Sequence, residues 1–397
     1  MSTGNAFFRQ LWSVARKELR DFARDRRTLA LTLLMGPLLY PAIMLGIGTM
    51  AESRARTQLD ETLMVPVVGA EHAPHLVAFL AGHGIEVAEP PADVDAAIRE
   101  QTFDAALSVD PAFAEDWRAG RPARVDVVHD STRRNAEIPT ARVVRALATY
   151  GDQVGALRLY ARGIDAAVAR PVAAASLDMA TPEAKRGMLL GLLLPYFLIM
   201  SAFLGGMALI LDATAGERER QSLEPLLATP ASRAAIVSGK LAAACVLGMS
   251  TLLLTLLALK LSSLVGTTTA EAMDVRASAI GKMLLVLLPM VFIGNALLTY
   301  LAAAAKSMKE AQSHMSWLVL LPMLPTIVLM ANPIKTQLWQ FAVPFLAQNQ
   351  LLLMIIRAEP ISAQVWAIYL AAGFGLAAVL WYAAVRRYHQ EKLAISG

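Results

Sequence analysis

Hydrophobic positions in this chain gather into six long runs, near Leu29 to Met50, Met188 to Leu211, Ile236 to Leu261, Ile280 to Ala305, Ser316 to Ala331 and Ala363 to Val385. Roughly 20 helical residues cross a hydrocarbon core of about 30 Å, so the pattern predicts six transmembrane helices. The fifth run is short and holds Pro322 and Pro325, each of which removes a backbone donor and kinks a helix. Composition agrees with this reading: 56% of residues are hydrophobic, 17% are charged and the mean hydropathy is +0.48, beyond what a soluble domain carries. The first run does not read as a cleavable signal, because a long charged segment precedes it and no small-x-small site closes it at Met50.

Between the first two runs the pattern changes. Residues 51–187 are mixed in charge, punctuated by Pro and Gly, and contain no run long enough to span. Short β-branched stretches at Met64 to Val68, Ile85 to Ala88, Asp104 to Val109 and Arg124 to Val128 alternate with helical patterns near Pro74 to Gly82, Ala92 to Gln101 and Pro111 to Ala119. A longer helix is expected over Asn135 to Ala161. Such alternation predicts a small α/β sandwich. The expected fold class is therefore an α-helical polytopic membrane protein with six transmembrane helices and an extracytoplasmic α/β domain inserted between helices 1 and 2. The expected divisions are an amphipathic helix in 1–28, the first transmembrane helix in 29–50, the inserted domain in 51–187, helices 2 to 6 in 188–385, and a tail in 386–397. Within 188–385 lie a cytoplasmic connection at 212–235 and an interrupted apolar segment at 338–358.

Basic residues set the orientation, because Lys and Arg near helix ends are retained on the cytoplasmic side. Arg9, Arg16, Lys17, Arg20, Arg24, Arg26 and Arg27 precede the first run, and Arg218, Arg220 and Arg233 follow the second. Lys306 and Lys309 follow the fourth, and Arg386, Arg387 and Lys392 the sixth. The short loops on the other face hold only Arg276, Lys282, Lys335 and Arg357. Both termini are expected in the cytoplasm of a multi-pass plasma or inner membrane protein. This asymmetry accounts for the net charge of +4 without nucleic acid.

Two polar segments stand out on that face. Phe8, Leu11, Trp12, Ala15, Leu19 and Phe22 recur at helical spacing opposite Arg9, Arg16, Lys17, Arg20 and Arg24, which describes a basic interfacial helix that lies on anionic lipid. Its polar face, with Glu18, Asp21, Asp25, Arg26 and Arg27, is also suited to a cytoplasmic partner. The second segment runs Glu217-Arg218-Glu219-Arg220-Gln221-Ser222-Leu223-Glu224-Pro225-Leu226-Leu227-Ala228-Thr229-Pro230. Thr214 with Glu217 fits a capping box, and Ser222 followed by Leu223, Glu224 and Pro225 fits a second helix start. Leu226 and Leu227 give that short helix an apolar edge, Thr229 and Pro230 end it, and Ser232 can cap the helix entering at Ile236. A plain solvated connector would not need three leucines among paired charges. A rigid knuckle is the expected form.

The motif Arg16-Lys-Glu-Leu-Arg-Asp-Phe-Ala-Arg-Asp-Arg-Arg-Thr28, the Glu217 to Pro230 loop and the large domain after the first of six spans resemble the type-2 ATP-binding-cassette permeases, and within them the sodium-efflux branch. The resemblance covers nearly the whole chain. It implies that the knuckle is a coupling helix docking on a separate ATPase subunit, with the N-terminal helix bracing the same interface. Glu217, Arg218, Glu219, Arg220, Leu223, Glu224 and Leu227 would then transmit closure of an ATPase dimer, with Pro225, Leu226, Thr229 and Pro230 completing the interface. Two permease copies, a homodimer by expectation, would work with two ATPase copies, and ATP and Mg would be bound in the partner. The resemblance also implies that the segment before the last span dips back into the membrane. Leu338 to Ile356 suits this, being apolar yet interrupted by Pro344, Gln348, Asn349 and Gln350. An outer interfacial helix is the equal alternative.

The chain has no phosphate-binding loop, since Gly239-Lys240 and Gly281-Lys282 lack the upstream glycine and the following hydroxyl residue. Its runs hold almost no ionisable group: Asp212, Lys260, Lys282 and Lys306 fall at their ends, which argues against proton coupling. Asn295, Gln348 and Asn349 are the candidate polar residues of a transport path. No metal or catalytic site is expected. His72 and His75 lack a zinc-protease Glu, Asp130-Ser131-Thr132 reads as a turn and cap, and Cys245 is a lone cysteine. The leading expectation is the permease subunit of an ATP-driven exporter, and the alternative is a non-transporting scaffold or sensor whose outer domain binds a ligand and signals through the cytoplasmic loop.

Overall fold

A computed structural model describes residues 3–169, 172, 177–179, 182–222, 225–226, 228–265, 274–305, 307–331 and 336–389. They form two compact units, one of Met1–Ile47 with Met179–Gly397 and the other of Gly48–Asp178.

The second unit is built on four strands, β1 (Leu63–Val68), β2 (Ile85–Ala88), β3 (Ala105–Val109) and β4 (Val125–His129), in the order β2-β1-β3-β4. β1 is parallel to β2 and β3, and β4 closes the edge antiparallel to β3. Parallel neighbours require crossovers, and these are supplied by helices Pro74–Ala81 and Val94–Arg99. The core gathers Val65, Val67, Leu76, Leu80, Ile85, Leu107 and Phe113 with Val143 and Ala146 of the long helix Glu137–Tyr160. Arg142 of that helix donates from Nη1 to the carbonyls of Gln58 (2.6 Å) and Glu61 (2.9 Å). Asp130 Oδ1 accepts from the Thr132 amide at 2.9 Å, forming the expected turn.

The first unit is a helix bundle. Five helices among the described residues are long and apolar enough to cross a membrane: Arg26–Gln58, Leu193–Glu219, Arg233–Val265, Ala277–Ala304 and Ala363–His389. The fourth is the most buried and forms the centre of the bundle, while the first is the least buried. Glycines let backbones approach closely, as small residues do in membrane helices. A Cβ on Gly294 would lie 2.3 Å from the Phe203 carbonyl oxygen, and one on Gly373 would lie 2.8 Å from Pro289 Cβ. The second span is interrupted where helix Pro182–Leu204 ends and Met207–Leu211 begins, at Gly205 and Gly206.

The six-run expectation differs from the structure at Ser316 to Ala331. That stretch forms no single long helix. Helix Met308–Ser316 passes into a 3-10 turn at Trp317–Leu320 and then into Met323–Ala331. Pro322 and Pro325 supply no amides to hold one continuous ladder there. The interrupted segment forms a 3-10 turn at Leu338–Ala342 and a helix at Leu346–Ile356. That helix belongs to the bundle core, with Ala347, Leu351, Leu352 and Ile355 buried.

Candidate functional site

The N-terminal helix Thr3–Arg24 packs along the start of the third span rather than only covering lipid. Val14, Ala15 and Phe22 are buried, while Phe8 and Trp12 remain exposed. The amphipathic pattern thus serves two surfaces, a stripe turned to protein and two aromatics outside it. Gly239 makes the approach close: a Cβ there would stand 2.6 Å from Val14 Cβ and 2.8 Å from the Leu11 carbonyl oxygen.

At this contact three buried ionised groups meet, and a fourth, Lys17, joins them from the surface. Lys240 of the third span is 1% exposed, and Glu18 and Glu217 are each 5% exposed. Lys240 Nζ lies 3.0 Å from Glu18 Oε1 and 2.7 Å from Glu217 Oε2, and it donates to the Ala213 carbonyl at 2.6 Å. Lys17 Nζ reaches Glu217 Oε1 at 2.8 Å and Glu18 Oε1 at 3.2 Å, with Asp21 at 3.8 Å. Two ammonium groups are thereby balanced by two buried carboxylates. Partial burial alone would lower the Lys17 ammonium, but its hydrogen bond to Glu217 and the charges of Glu18 and Glu217 outweigh that and hold it above its ordinary value.

The local backbone prepares this site. Residues Asp212–Gly216 form a π turn within the end of the second span, a widening often found at functional sites. Thr214 lies inside this continuous helix, buried, accepting from the Tyr388 hydroxyl at 3.4 Å. The capping-box expectation is therefore corrected: the helix does not begin at Thr214, and Glu217 turns to Lys17 and Lys240 instead of back to an amide.

Of the three residues after Glu217, Arg218 is half-buried, and Glu219 and Arg220 are exposed. Arg218 donates to the carbonyls of Ala303 (3.0 Å) and Ala305. Glu219 Oε2 accepts from the Met308 amide at 3.1 Å. Arg220 pairs with Asp212 at 2.9 Å, and this hydrogen bond holds its guanidinium above its ordinary value. The chain leaves the bundle at Gln221, which adopts φ 58°. Gln221, Ser222, Pro225, Ala228, Thr229 and Pro230 are exposed, and Leu226 is half-buried. Pro225 and Leu226 are helical, and the Leu226 carbonyl accepts from Thr229 Oγ1 at 2.7 Å. Leu223, Glu224 and Leu227 lie outside the described residues. On the far side Ser232 Oγ caps Ala235 N at 3.2 Å as expected. Gln10 spans back to this end, donating to the Pro230 carbonyl at 3.4 Å and accepting from Ser232 N at 3.2 Å.

Of the remaining candidates in the N-terminal helix and just after it, Trp12, Arg16, Arg20, Asp21, Arg24, Asp25, Arg26 and Arg27 are exposed. Asp25 caps the first span by accepting from Thr28 N at 3.2 Å. Asn295, Gln348 and Asn349 are buried in the bundle, and the first two meet different side chains. Asn295 Nδ2 faces Cys245 Sγ at 3.6 Å, whereas Gln348 Nε2 donates to the Tyr369 hydroxyl at 3.2 Å. Lys240, Gln10 and Tyr388 escaped the sequence reading. Lys240 adds a buried charge within the third run to those named at the run ends. A signal for it existed: a lone lysine inside an apolar run demands an acidic partner, and Glu18 and Glu217 flank runs on the same face.

A bundle of apolar helices with a charged root after the second one defines a class. The profile of the ABC-2 family transporter proteins matches residues 12–392, and the chain belongs to that family. It is an ABC-type permease subunit of the membrane. Among its relatives is the ABC transporter permease protein NatB of Bacillus subtilis (strain 168), 29% identical over 338 residues that cover 84% of this chain and 86% of the relative.

Proposed function

We propose that the chain couples ATP hydrolysis in a separate ATPase subunit to efflux, and that the segment from Gln221 to Pro230 is the element the ATPase grips. The observation that carries this reading is the charge cluster of buried Glu18, Glu217 and Lys240, with Lys17 closing it from the surface, at the root of that segment. It joins the N-terminal helix, the end of the second span and the start of the third into one body, so a push on the exposed tip moves all three together. Glu217 and Arg218 act as struts to the bundle in this scheme, and Glu219 and Arg220 stand at its exposed edge. Pro225, Leu226, Thr229 and Pro230, with Leu223, Glu224 and Leu227, make the contact. Two permease copies, forming a homodimer, and two ATPase copies constitute the working unit, with ATP and Mg held by the ATPase.

The termini and the gripped segment face the cytoplasm of the plasma or inner membrane, and the unit Gly48–Asp178 faces outward. Ser316 to Ala331 is the remaining crossing, made in short pieces at Pro322 and Pro325. Helix Leu346–Ile356 is a re-entrant segment. The cargo is sodium or a small amphiphilic compound.

The test is co-purification and ATPase activity of the chain reconstituted with its cassette ATPase, for wild type, Leu226→Asp and Lys240→Met. Loss of association in the first variant, and hydrolysis uncoupled from transport in the second, are expected. Unchanged association and coupling in both, or full transport in a preparation free of any ATPase, would overturn the reading. Stimulation of hydrolysis by sodium against potassium and against neutral amphiphiles distinguishes the cargoes.

A further inference from the structure

The unit Gly48–Asp178 carries a built concavity. Trp117 is its pillar. The ring lies stacked with Tyr150 at 5.5 Å between centroids and 13° between planes, and with Phe113 at 5.8 Å and 16°. The Arg158 guanidinium sits 4.7 Å from the Trp117 ring centroid and donates to the Trp117 carbonyl at 2.8 Å. Cation and backbone together fix the indole in one orientation. Two hollows of about 280 and 350 Å³ adjoin this stack and share Leu76, Phe113, Trp117 and Tyr150 in their walls, near the lower end of the size of small-ligand sites.

The ionic side chains in the linings are arginines. His72, His75 and Arg118 line the first hollow and Arg121 and Arg158 the second, and neither lining includes a carboxylate. Glu115 and Asp116, which pair with Arg121, lie outside both linings. Arg158 keeps guanidinium donors beyond the one used on the Trp117 carbonyl. The Tyr150 hydroxyl is a further donor, and burial pushes it above its ordinary value, so it keeps its proton at neutral pH. An aromatic wall beside fixed cations and a neutral hydroxyl donor favours a planar apolar body bearing an anionic group.

We infer that the concavity around Trp117, Tyr150 and Arg158 is a binding site for a small aromatic anion, such as an aryl carboxylate. This assignment stands or falls independently of ATP coupling and of the exported cargo.

The probe is 1-naphthoate, titrated calorimetrically into the full chain in nanodiscs of zwitterionic phosphatidylcholine. Its charge-reversed control is 1-naphthylmethylammonium, which has the same ring system. Saturable binding of one naphthoate per chain, with no binding of the ammonium, is expected. Arg158→Gln should raise the Kd about tenfold or more, the range for a hydrogen bond to a charged group, and Tyr150→Phe about three- to tenfold. Tyr150→Phe keeps the ring stack, so it decides the matter if Arg158→Gln fails to fold by circular dichroism. Absence of saturable naphthoate binding overturns the site. So does equal binding of both probes, or wild-type affinity in the folded variants.

Discussion

Lys240 keeps its charge in an apolar helix because of groups distant in sequence: Glu18 is 222 positions away and Glu217 is 23. Removing one partner of a buried ion pair strands the other, at about 3–5 kcal/mol. Lys240→Met should therefore lower the stability of the detergent-purified protein by about that amount in chemical denaturation. Adding Glu18→Gln and Glu217→Gln to Lys240→Met should recover part of the loss, because fewer buried charges are then left without a partner. Lys17 makes a separate prediction. Its folded value lies above its ordinary 10.5, so the stability it contributes is full below that pH and is lost as the pH rises through the folded value. Glu18, Asp21 and Glu217 face it. Thermal midpoints measured across alkaline pH should decline above about pH 10.5. Lys17→Arg, whose guanidinium stays charged, should move that decline to higher pH.

At the level of the element, the N-terminal helix depends on close contact rather than on its amphipathic pattern alone. The pattern says which residues are apolar; it does not say whether lipid or protein covers them. Gly239 settles this for the stripe that includes Leu11 and Val14, since no side chain fits between the two helices. Gly239→Ala should force the helices apart at a cost of about 1–3 kcal/mol. The measurement is hydrogen exchange or protease cleavage within Thr3–Arg24, which should quicken while the fourth and last spans stay protected. Unchanged protection would mean that the helix is held by lipid. The same distinction explains the segment after the second span. Its charges look alike in the sequence, yet Glu217 is buried and Arg218 bonds to the end of the fourth span, while Glu219 and Arg220 stay exposed.

For the whole molecule, the two units have separate hydrophobic cores, one around Leu80 and Leu107 and the other through the helix bundle. Leu80 is 0% exposed, and Leu80→Ala should cost about 2–5 kcal/mol. Calorimetry should resolve two thermal transitions, with Leu80→Ala lowering one and Lys240→Met the other. The Leu80→Ala protein should still associate with its ATPase. A single transition lowered equally by both variants would mean that the units fold as one.

The sequence by itself determined the elements whose signal is local. Short β-branched stretches set between helical patterns located β1 to β4 within a residue or so. Ser232 announced its cap because that hydrogen bond closes over three residues. Long apolar runs gave the five spans, and the prolines marked where the remaining run breaks. Tertiary structure alone decided which charges are spent inside. Glu217 reads as the front of a loop until the Asp212–Gly216 turn and Gly239 bring it to Lys17 and Lys240. A buried charge is stable only beside its counter-charge, and that adjacency comes from helix packing across long separations in the chain.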